Sequence, residues 1–226
     1  MTKKQTEKDE MIVLLHGILR SKTDMMLLRN FFEKHGYKTL NILYPSREQQ
    51  LEDLSDFVKD KIEHAPNRTE NTKLHFVTHS MGGLITRYYI HREKPKNLGK
   101  VVMLGPPNTG SELADWLSDT KLLAPLFKGL FGPASAQLRT DYEHIDNDIT
   151  YPLGVIAGSA SVNPLAPWIL DGEHDGIVPV ERTKIEGMTD HIILSATHSF
   201  MMFNGEVMEQ ALHFLAHNRF NHEQND

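Results

Sequence analysis

The stretch LHFVTHSMGGLITRYYI, residues 74–90, contains a strand pattern and a helix pattern with almost nothing between them. Its first part, LHFV, is an apolar run typical of a buried strand, and its last part, GGLITRYYI, is typical of a helix. A turn this short crowds the backbone, and the small residues Gly82 and Gly83 relieve the crowding on the helix side. The pattern therefore predicts a sharp strand-to-helix corner with Ser80 at its tip.

Short apolar runs alternate with helical patterns along the rest of the chain. The other runs that we interpret as strands are MIVLL at 11–15, YKTLNILY at 37–44, KVVMLG at 100–105, YPLGVIAGS at 151–159 and HIILSA at 191–196. Buried strands separated by helices indicate an α/β protein with a mostly parallel sheet and helices on both of its faces. This pattern predicts about six strands. Reactive groups in such sheets collect at the carboxyl ends of the strands.

Composition narrows the class of protein. The chain has 226 residues and no linker-like tract, which favours one domain spanning 1–226. The net charge is −6 and no Lys/Arg cluster stands out, so we expect no nucleic-acid partner. The absence of cysteine excludes disulfides and thiol chemistry. The polar start MTKKQTEKDE and the short apolar run that follows it predict a cytoplasmic protein without an integral membrane segment.

The corner around Ser80 matches a catalytic motif. Thr78-His79-Ser80-Met81-Gly82 fits the nucleophile elbow G-x-S-x-G, except that threonine stands at the first glycine position. An elbow exposes the serine hydroxyl beside the N–H groups that open the next helix, and such groups stabilise an oxyanion. The alternative interpretation is an ordinary helix start with Ser80 as its N-cap.

A serine nucleophile needs a base and a carboxylate that orients the base, in the chain order Ser, acid, His for this architecture. Three acids compete in DGEHDGIVPVE, namely Asp171, Glu173 and Asp175. We favour Asp175, because a turn that re-enters an apolar segment follows it and can fix a buried carboxylate. Asp171 is the second choice, because it precedes Gly172 and can be explained as an ordinary turn residue. His198, just past the last strand, is the predicted base.

The remaining candidates concern the oxyanion hole and a metal. The backbone N–H groups of Ile18, which follows the His-Gly pair after the first strand, and of Met81 are the predicted oxyanion donors. His79 adjoins the nucleophile but leaves the elbow in another direction, so it is a poor base. His213 and His217 have i,i+4 spacing, yet no third ligand is evident and we expect no metal.

Taken together, these motifs resemble the α/β-hydrolase superfamily, and most of all small bacterial lipases and lipase-like esterases. The residues that carry the resemblance are LHGI at 15–18, THSMGG at 78–83, PPNTGS at 106–111, DGIV at 175–178 and THS at 197–199. The PPNTGS run is the narrower signal and points to the lipase-like branch. The resemblance implies a near-minimal version of the fold that needs no cofactor.

Residues 106–150 are too many for a plain connection between strands. The segment is rich in apolar residues, among them Trp116, Phe127 and Leu130. We predict a small cap or lid over Ser80 that lines an acyl pocket, with Trp168 adding to the same wall. The alternative is a packing helix with a loop. Apolar walls suit a small-molecule ester with an apolar acyl group.

The sequence therefore predicts a serine carboxylic-ester hydrolase that works through Ser80, His198 and Asp175 and forms a covalent acyl-enzyme. An acyltransferase, a thioesterase or an amidase would use the same three residues. A non-catalytic binding protein on this fold is the alternative from another class, because fold does not imply function.

Overall fold

A computed structural model describes residues 9–144 and 149–224 of the chain. A six-stranded sheet forms its centre, with the strands in the order β2-β1-β3-β4-β5-β6 and all neighbours parallel. The strands are β1 (Glu10–Leu15), β2 (Lys38–Ile42), β3 (Lys73–His79), β4 (Leu98–Leu104), β5 (Leu153–Gly158) and β6 (Asp190–Leu194). The predicted α/β class and strand number are confirmed.

Helices cover both faces of the sheet. They are α1 (Met26–Lys34), α2 (Leu51–Glu63), α3 (Met81–Glu93), α4 (Glu112–Asp119), α5 (Ala124–Phe131), α6 (Ala166–Ile169), α7 (Val180–Thr183) and α8 (Gly205–His217), with short 3₁₀ helices at Pro133–Leu138, His198–Phe203 and His222–Gln224. Within the described ranges, no helix is both long enough and apolar enough to cross a membrane.

Two apolar cores follow from this layering. The core on one face joins the sheet to α2 and α3, and the core on the other face joins it to α1 and α8. The first contains Leu51, Leu54 and Val58, whose spacing of three and four residues aligns them on one side of α2. β5 is buried along its whole length, as expected for a strand covered on both faces.

The strand order places a crevice beside two strand ends. The chain adds β2 on one side of β1 and then returns to place β3 on the other side. Connections from β1 and β3 therefore leave in opposite directions, and the carboxyl ends of these strands border the crevice where α/β proteins bind ligands. Ile18 follows β1 there, and Ser80 follows β3.

The predicted insertion at 106–150 begins at the same edge of the sheet, directly after β4. It contains α4, α5 and the 3₁₀ helix Pro133–Leu138. Residues 145–148 of this insertion lie outside the described residues.

Candidate active site

Ser80 is the only residue between β3, which ends at His79, and α3, which begins at Met81. Its backbone has φ 54° and ψ −126°, a conformation that residues other than glycine rarely adopt. Such a residue costs on the order of 1–3 kcal/mol and persists only where its surroundings hold it. The Ser80 N–H donates to the Leu104 carbonyl at 2.9 Å, and the Gly83 N–H donates to the Ser80 carbonyl at 2.9 Å. The predicted corner is therefore present, and both sides of it are fixed.

Gly82 explains how the corner fits against β1. A Cβ atom on Gly82 would lie 2.8 Å from the carbonyl oxygen of Leu15 and 2.9 Å from that of His16, so a side chain would collide with backbone. Thr78 occupies the first glycine position of the motif without such a conflict. It lies inside β3, paired with Leu15 and Met103 on the neighbouring strands. The strained conformation falls on Ser80, two residues later, and the elbow forms with threonine in place.

The structure brings Ser80, His198 and Asp175 together. The Ser80 hydroxyl donates to Nε2 of His198 at 3.0 Å, and Nδ1–H of His198 donates to Oδ2 of Asp175 at 2.7 Å. All three residues are buried, with relative exposures of 8%, 6% and 2% for Ser80, His198 and Asp175. Hydrogen bonds in a site shielded from water are stronger than at a surface. The order hydroxyl, imidazole, carboxylate is the one that activates a serine nucleophile.

The backbone around Asp175 fixes its carboxylate. Oδ1 accepts hydrogen bonds from the N–H groups of Ile177 at 3.0 Å and Val178 at 2.8 Å, which leaves Oδ2 for the imidazole. The His198 N–H also donates to the Asp175 carbonyl at 3.0 Å. Asp171 and Glu173 are exposed. The turn that follows Asp175 in sequence therefore holds its carboxylate in place.

His79 contacts the same imidazole from another side. Its Nε2–H donates to the His198 carbonyl at 2.9 Å, and the two ring centroids are 4.8 Å apart. Complete burial, and next the neighbouring His198, hold the pKa of His79 well below its usual range. His79 is therefore a neutral brace between the elbow and the His198 loop, and the structure gives it no contact with the Ser80 hydroxyl among the described hydrogen bonds.

Both predicted oxyanion donors border the crevice. Ile18 lines the same cavity as Ser80, and its N–H donates to no acceptor within the part of the chain that the structure describes. Met81 opens α3, and N–H groups in the first turn of a helix have no acceptor within that helix. His16 supports the loop before Ile18, because its ring stacks on Tyr44 with centroids 4.2 Å apart and its carbonyl accepts the Tyr44 hydroxyl. Burial lowers the pKa of His16.

A cavity of about 370 Å³ opens over Ser80. Its apolar wall comes largely from the segment between β4 and β5, through Leu113, Ala114, Leu117, Phe127, Phe131 and Leu138, with Ile177 and Val178 completing it. The predicted pocket residue Phe127 is part of this wall. A volume in the lower part of the range for small-molecule sites suits a small ligand.

Three of the predicted pocket residues, Trp116, Leu130 and Trp168, do not line the cavity, so that prediction was wrong for them. Residues four apart on a helix share a face, and in α5 the face toward the cavity carries Phe127 and Phe131. Leu130 lies off that face and is 41% exposed. Trp116 is likewise off the inward face of α4, and Trp168 on α6 is 87% exposed.

The PPNTGS run ties neighbouring loops to the site, a role that sequence reasoning missed. Nδ2 of Asn108 donates to the Thr183 carbonyl at 2.7 Å, and Oδ1 of Asn108 accepts from the buried guanidinium of Arg87 at 3.1 Å. The Ser111 hydroxyl donates to the Ile177 carbonyl at 2.7 Å. The run therefore holds the turn that fixes the carboxylate. The signal for this role in the sequence was the presence of three polar residues, Asn108, Thr109 and Ser111, among the six residues of the run.

Sequence reasoning also missed Arg20, whose side chain lines the cavity. A charged residue in the loop after the first strand, two positions beyond Ile18, was the available signal. His213 and His217 face each other with ring centroids 4.5 Å apart. No group of three or more metal-ligating side chains occurs among the residues with described positions.

Comparisons with known proteins agree with this architecture. Residues 5–108, a little under half of the chain, match the sequence model of a family described as "Putative serine esterase (DUF676)". A search against curated protein sequences finds no significant match. Many solved structures share the fold.

The mature form of the lipase BlEst2 from Bacillus licheniformis is similar over 93% of this chain and 93% of its own, with a TM-score of 0.72 and 20% identity. A metagenomic carboxyl esterase, MGS0156, is similar over 86% of this chain and 65% of its own, with a TM-score of 0.67 and 20% identity. The phospholipase PlaB from Legionella pneumophila is similar over 92% of this chain and 57% of its own, with a TM-score of 0.66 and 17% identity. The chain thus has the α/β-hydrolase fold, and its residues 5–108 match a family of serine esterases.

Proposed function

We propose that this chain is a serine carboxylic-ester hydrolase in which Ser80 is the nucleophile, His198 the general base and Asp175 the orienting acid. The observation that carries the proposal is the continuous hydrogen-bonded chain from the Ser80 hydroxyl through His198 to Asp175 beneath an apolar cavity. Its distances of 3.0 and 2.7 Å are within the range that proton transfer requires.

The mechanism follows from the positions of these groups. Ser80 attacks the ester carbonyl while Nε2 of His198 takes its proton, and Asp175 stabilises the resulting imidazolium. The N–H groups of Ile18 and Met81 hold the oxyanion. His198 then gives the proton to the leaving oxygen as the alcohol departs. In the second step His198 takes a proton from water, which attacks the acyl-enzyme and releases the acid. The strained backbone of Ser80 keeps the hydroxyl raised above the end of β3.

The segment 106–150 supplies the acyl pocket in this proposal, within one domain that spans the chain. Leu113, Leu117 and Phe127 project from α4 and α5 into the cavity, where an apolar acyl chain would replace water. Three similar structures are named as a lipase, a carboxyl esterase and a phospholipase. Each of these names denotes an enzyme that cleaves esters, which supports an ester as the substrate.

A fluorophosphonate probe tests the nucleophile directly. The folded protein should take up one probe molecule, and peptide mass spectrometry should find the adduct on Ser80. The Ser80→Ala variant should take up none. Ser195→Ala, which removes an exposed serine close to the His198 loop, is the matched control and should label like the wild type. Labelling of folded Ser80→Ala at the wild-type level would contradict the assignment.

The reaction class is a separate question, since an acyltransferase, a thioesterase and an amidase would use the same three residues. A panel with one butyryl group presented as an ester, a thioester and an anilide separates these activities, and an added alcohol acceptor reports acyl transfer. We expect the ester to have the highest kcat/KM. No turnover and no probe adduct would favour a non-catalytic binding protein.

A further inference from the structure

Arg20 places a positive charge in a cavity whose lining is otherwise mostly apolar. Among the described lining residues it is the only arginine or lysine, and its side chain is 28% exposed. The mechanism proposed above uses no cation at this position. Charges interact more strongly beside apolar walls than in bulk water, so Arg20 attracts an anion in this cavity more strongly than it would in bulk water.

The contacts of Arg20 show which end of the cavity it occupies. One of its terminal nitrogens donates to the carbonyl of Ser199 at 3.1 Å, and Ser199 directly follows the proposed base His198. The leaving group of an ester must lie beside the base, because it receives the proton from Nε2 of His198. The acyl wall comes from other elements, α4 and α5. Arg20 therefore borders the side of the leaving group.

The guanidinium of Arg20 has unused binding capacity. It carries more N–H donors than its contact with Ser199 employs. Its ion pair with Asp24 spans 3.5 Å, longer than a charge-assisted hydrogen bond. The other oxygen of Asp24 accepts from the N–H and the hydroxyl of Ser21, at 2.8 and 3.1 Å, so Asp24 is held by its own turn. Asp24 thus positions Arg20 without saturating it.

From these contacts we infer that Arg20 selects esters whose leaving alcohol carries an anionic oxygen group, a phosphate or a carboxylate. The inference rests on the proposed esterase function and adds the substrate class. The substrate combines an apolar acyl group against α4 and α5 with an oxyanion against the planar fork of Arg20, which suits two-pronged contacts with either group. A cationic leaving group is disfavoured at the same place.

A set of butyryl esters with different leaving-group charges tests the inference. Release of butyrate is followed at constant pH for glycerol monobutyrate, 1-butyryl-glycerol 3-phosphate, butyryl glycolate and butyrylcholine. We expect the two anionic esters to have the highest kcat/KM, with the phosphate and glycolate arms telling which anion is preferred. High salt should reduce the preference.

Variants of Arg20 separate anion binding from bracing of the His198 loop. Arg20→Gln should lower kcat/KM for the preferred anionic ester roughly 10- to 100-fold more than for glycerol monobutyrate. Arg20→Lys keeps the charge and should retain part of the preference. Lys22→Gln removes an exposed cation from the same loop and is the matched control, expected to leave the ratio unchanged. Equal losses on neutral and anionic esters in Arg20→Gln would overturn the inference.

Calorimetric binding to Ser80→Ala distinguishes failure of this inference from failure of the esterase assignment. This variant should bind 1-butyryl-glycerol 3-phosphate at least about tenfold more tightly than glycerol monobutyrate, and Arg20→Gln in the same background should abolish the difference. Selective binding without hydrolysis of any ester by the wild type would refute the esterase and support the anion site. Hydrolysis of esters without selective binding would support the esterase and refute the anion site.

Discussion

Replacing Asp175 with asparagine should stop His198 from acting as the proposed general base while the site stays folded. The N–H groups of Ile177 and Val178 both donate to Oδ1 of Asp175, so the amide oxygen of an asparagine must take that place. Its NH₂ group then faces Nδ1 of His198, where Oδ2 now lies at 2.7 Å. A donor at that position forces the proton of the imidazole onto Nε2, which can then no longer accept the proton of Ser80.

The expected effect is large, because the wrong tautomer removes general-base catalysis altogether. The same exchange in the well-studied serine protease triad lowers kcat on the order of 10⁴, which corresponds to about 5 kcal/mol of transition-state stabilisation. The assay compares kcat on p-nitrophenyl butyrate for the wild type, Asp175→Asn and Asp171→Asn, with circular dichroism and thermal unfolding reporting the fold.

Asp171→Asn is the matched control, since the same substitution at this exposed neighbour should change kcat by no more than a factor of about two. A folded Asp175→Asn that keeps more than about one hundredth of the wild-type kcat would refute the tautomer reasoning. A larger loss in Asp171→Asn would reassign the acid.

Three further predictions concern stability and the pocket. The melting temperature of Ser80→Gly, measured by calorimetry, should lie roughly 2–4 °C above that of Ser80→Ala, because glycine adopts the φ of 54° without strain. Equal melting temperatures would contradict backbone strain at the elbow. Phe127→Ala should shift the chain-length optimum among p-nitrophenyl acetate, butyrate and octanoate toward longer chains, by up to about 0.8 kcal/mol for each methylene that gains burial. Leu130→Ala, on the outer side of α5, is the control and should leave the chain-length profile unchanged. Identical profiles for the two variants would contradict a contribution of α5 to the pocket. Burial, followed by the charge of Arg87, lowers the pKa of His144 to about 4 in the folded protein. In the unfolded chain His144 takes up its proton near its ordinary pKa of about 6.5. The free energy of unfolding therefore falls as the pH drops from about 6.5 to 4. His144→Gln should therefore lose about 2 kcal/mol less free energy of unfolding than the wild type between pH 7 and pH 5 in urea titrations, and equal losses would contradict this cause.

Much of the candidate site was accessible from sequence because its signals are local. The elbow motif predicts Ser80 at a corner, and the turn after Asp175 predicts a fixed carboxylate. The predicted pocket was less accurate. Apolar residues surround α5 almost completely, so periodicity alone gave no reason to prefer Phe127 over Leu130.

The alternation of buried strands and helices can be read from the amino-acid sequence alone, and it predicts the parallel sheet and the edge on which Ser80 and His198 lie. Those features follow from hydrophobic periodicity and chain order, which act over short distances along the chain. Only the folded chain shows that β1 and β3 are neighbours and that Arg20 reaches the carbonyl of Ser199, 179 positions later. Contacts of this kind depend on how layers pack and on which side chain fills each space, and no local pattern encodes them.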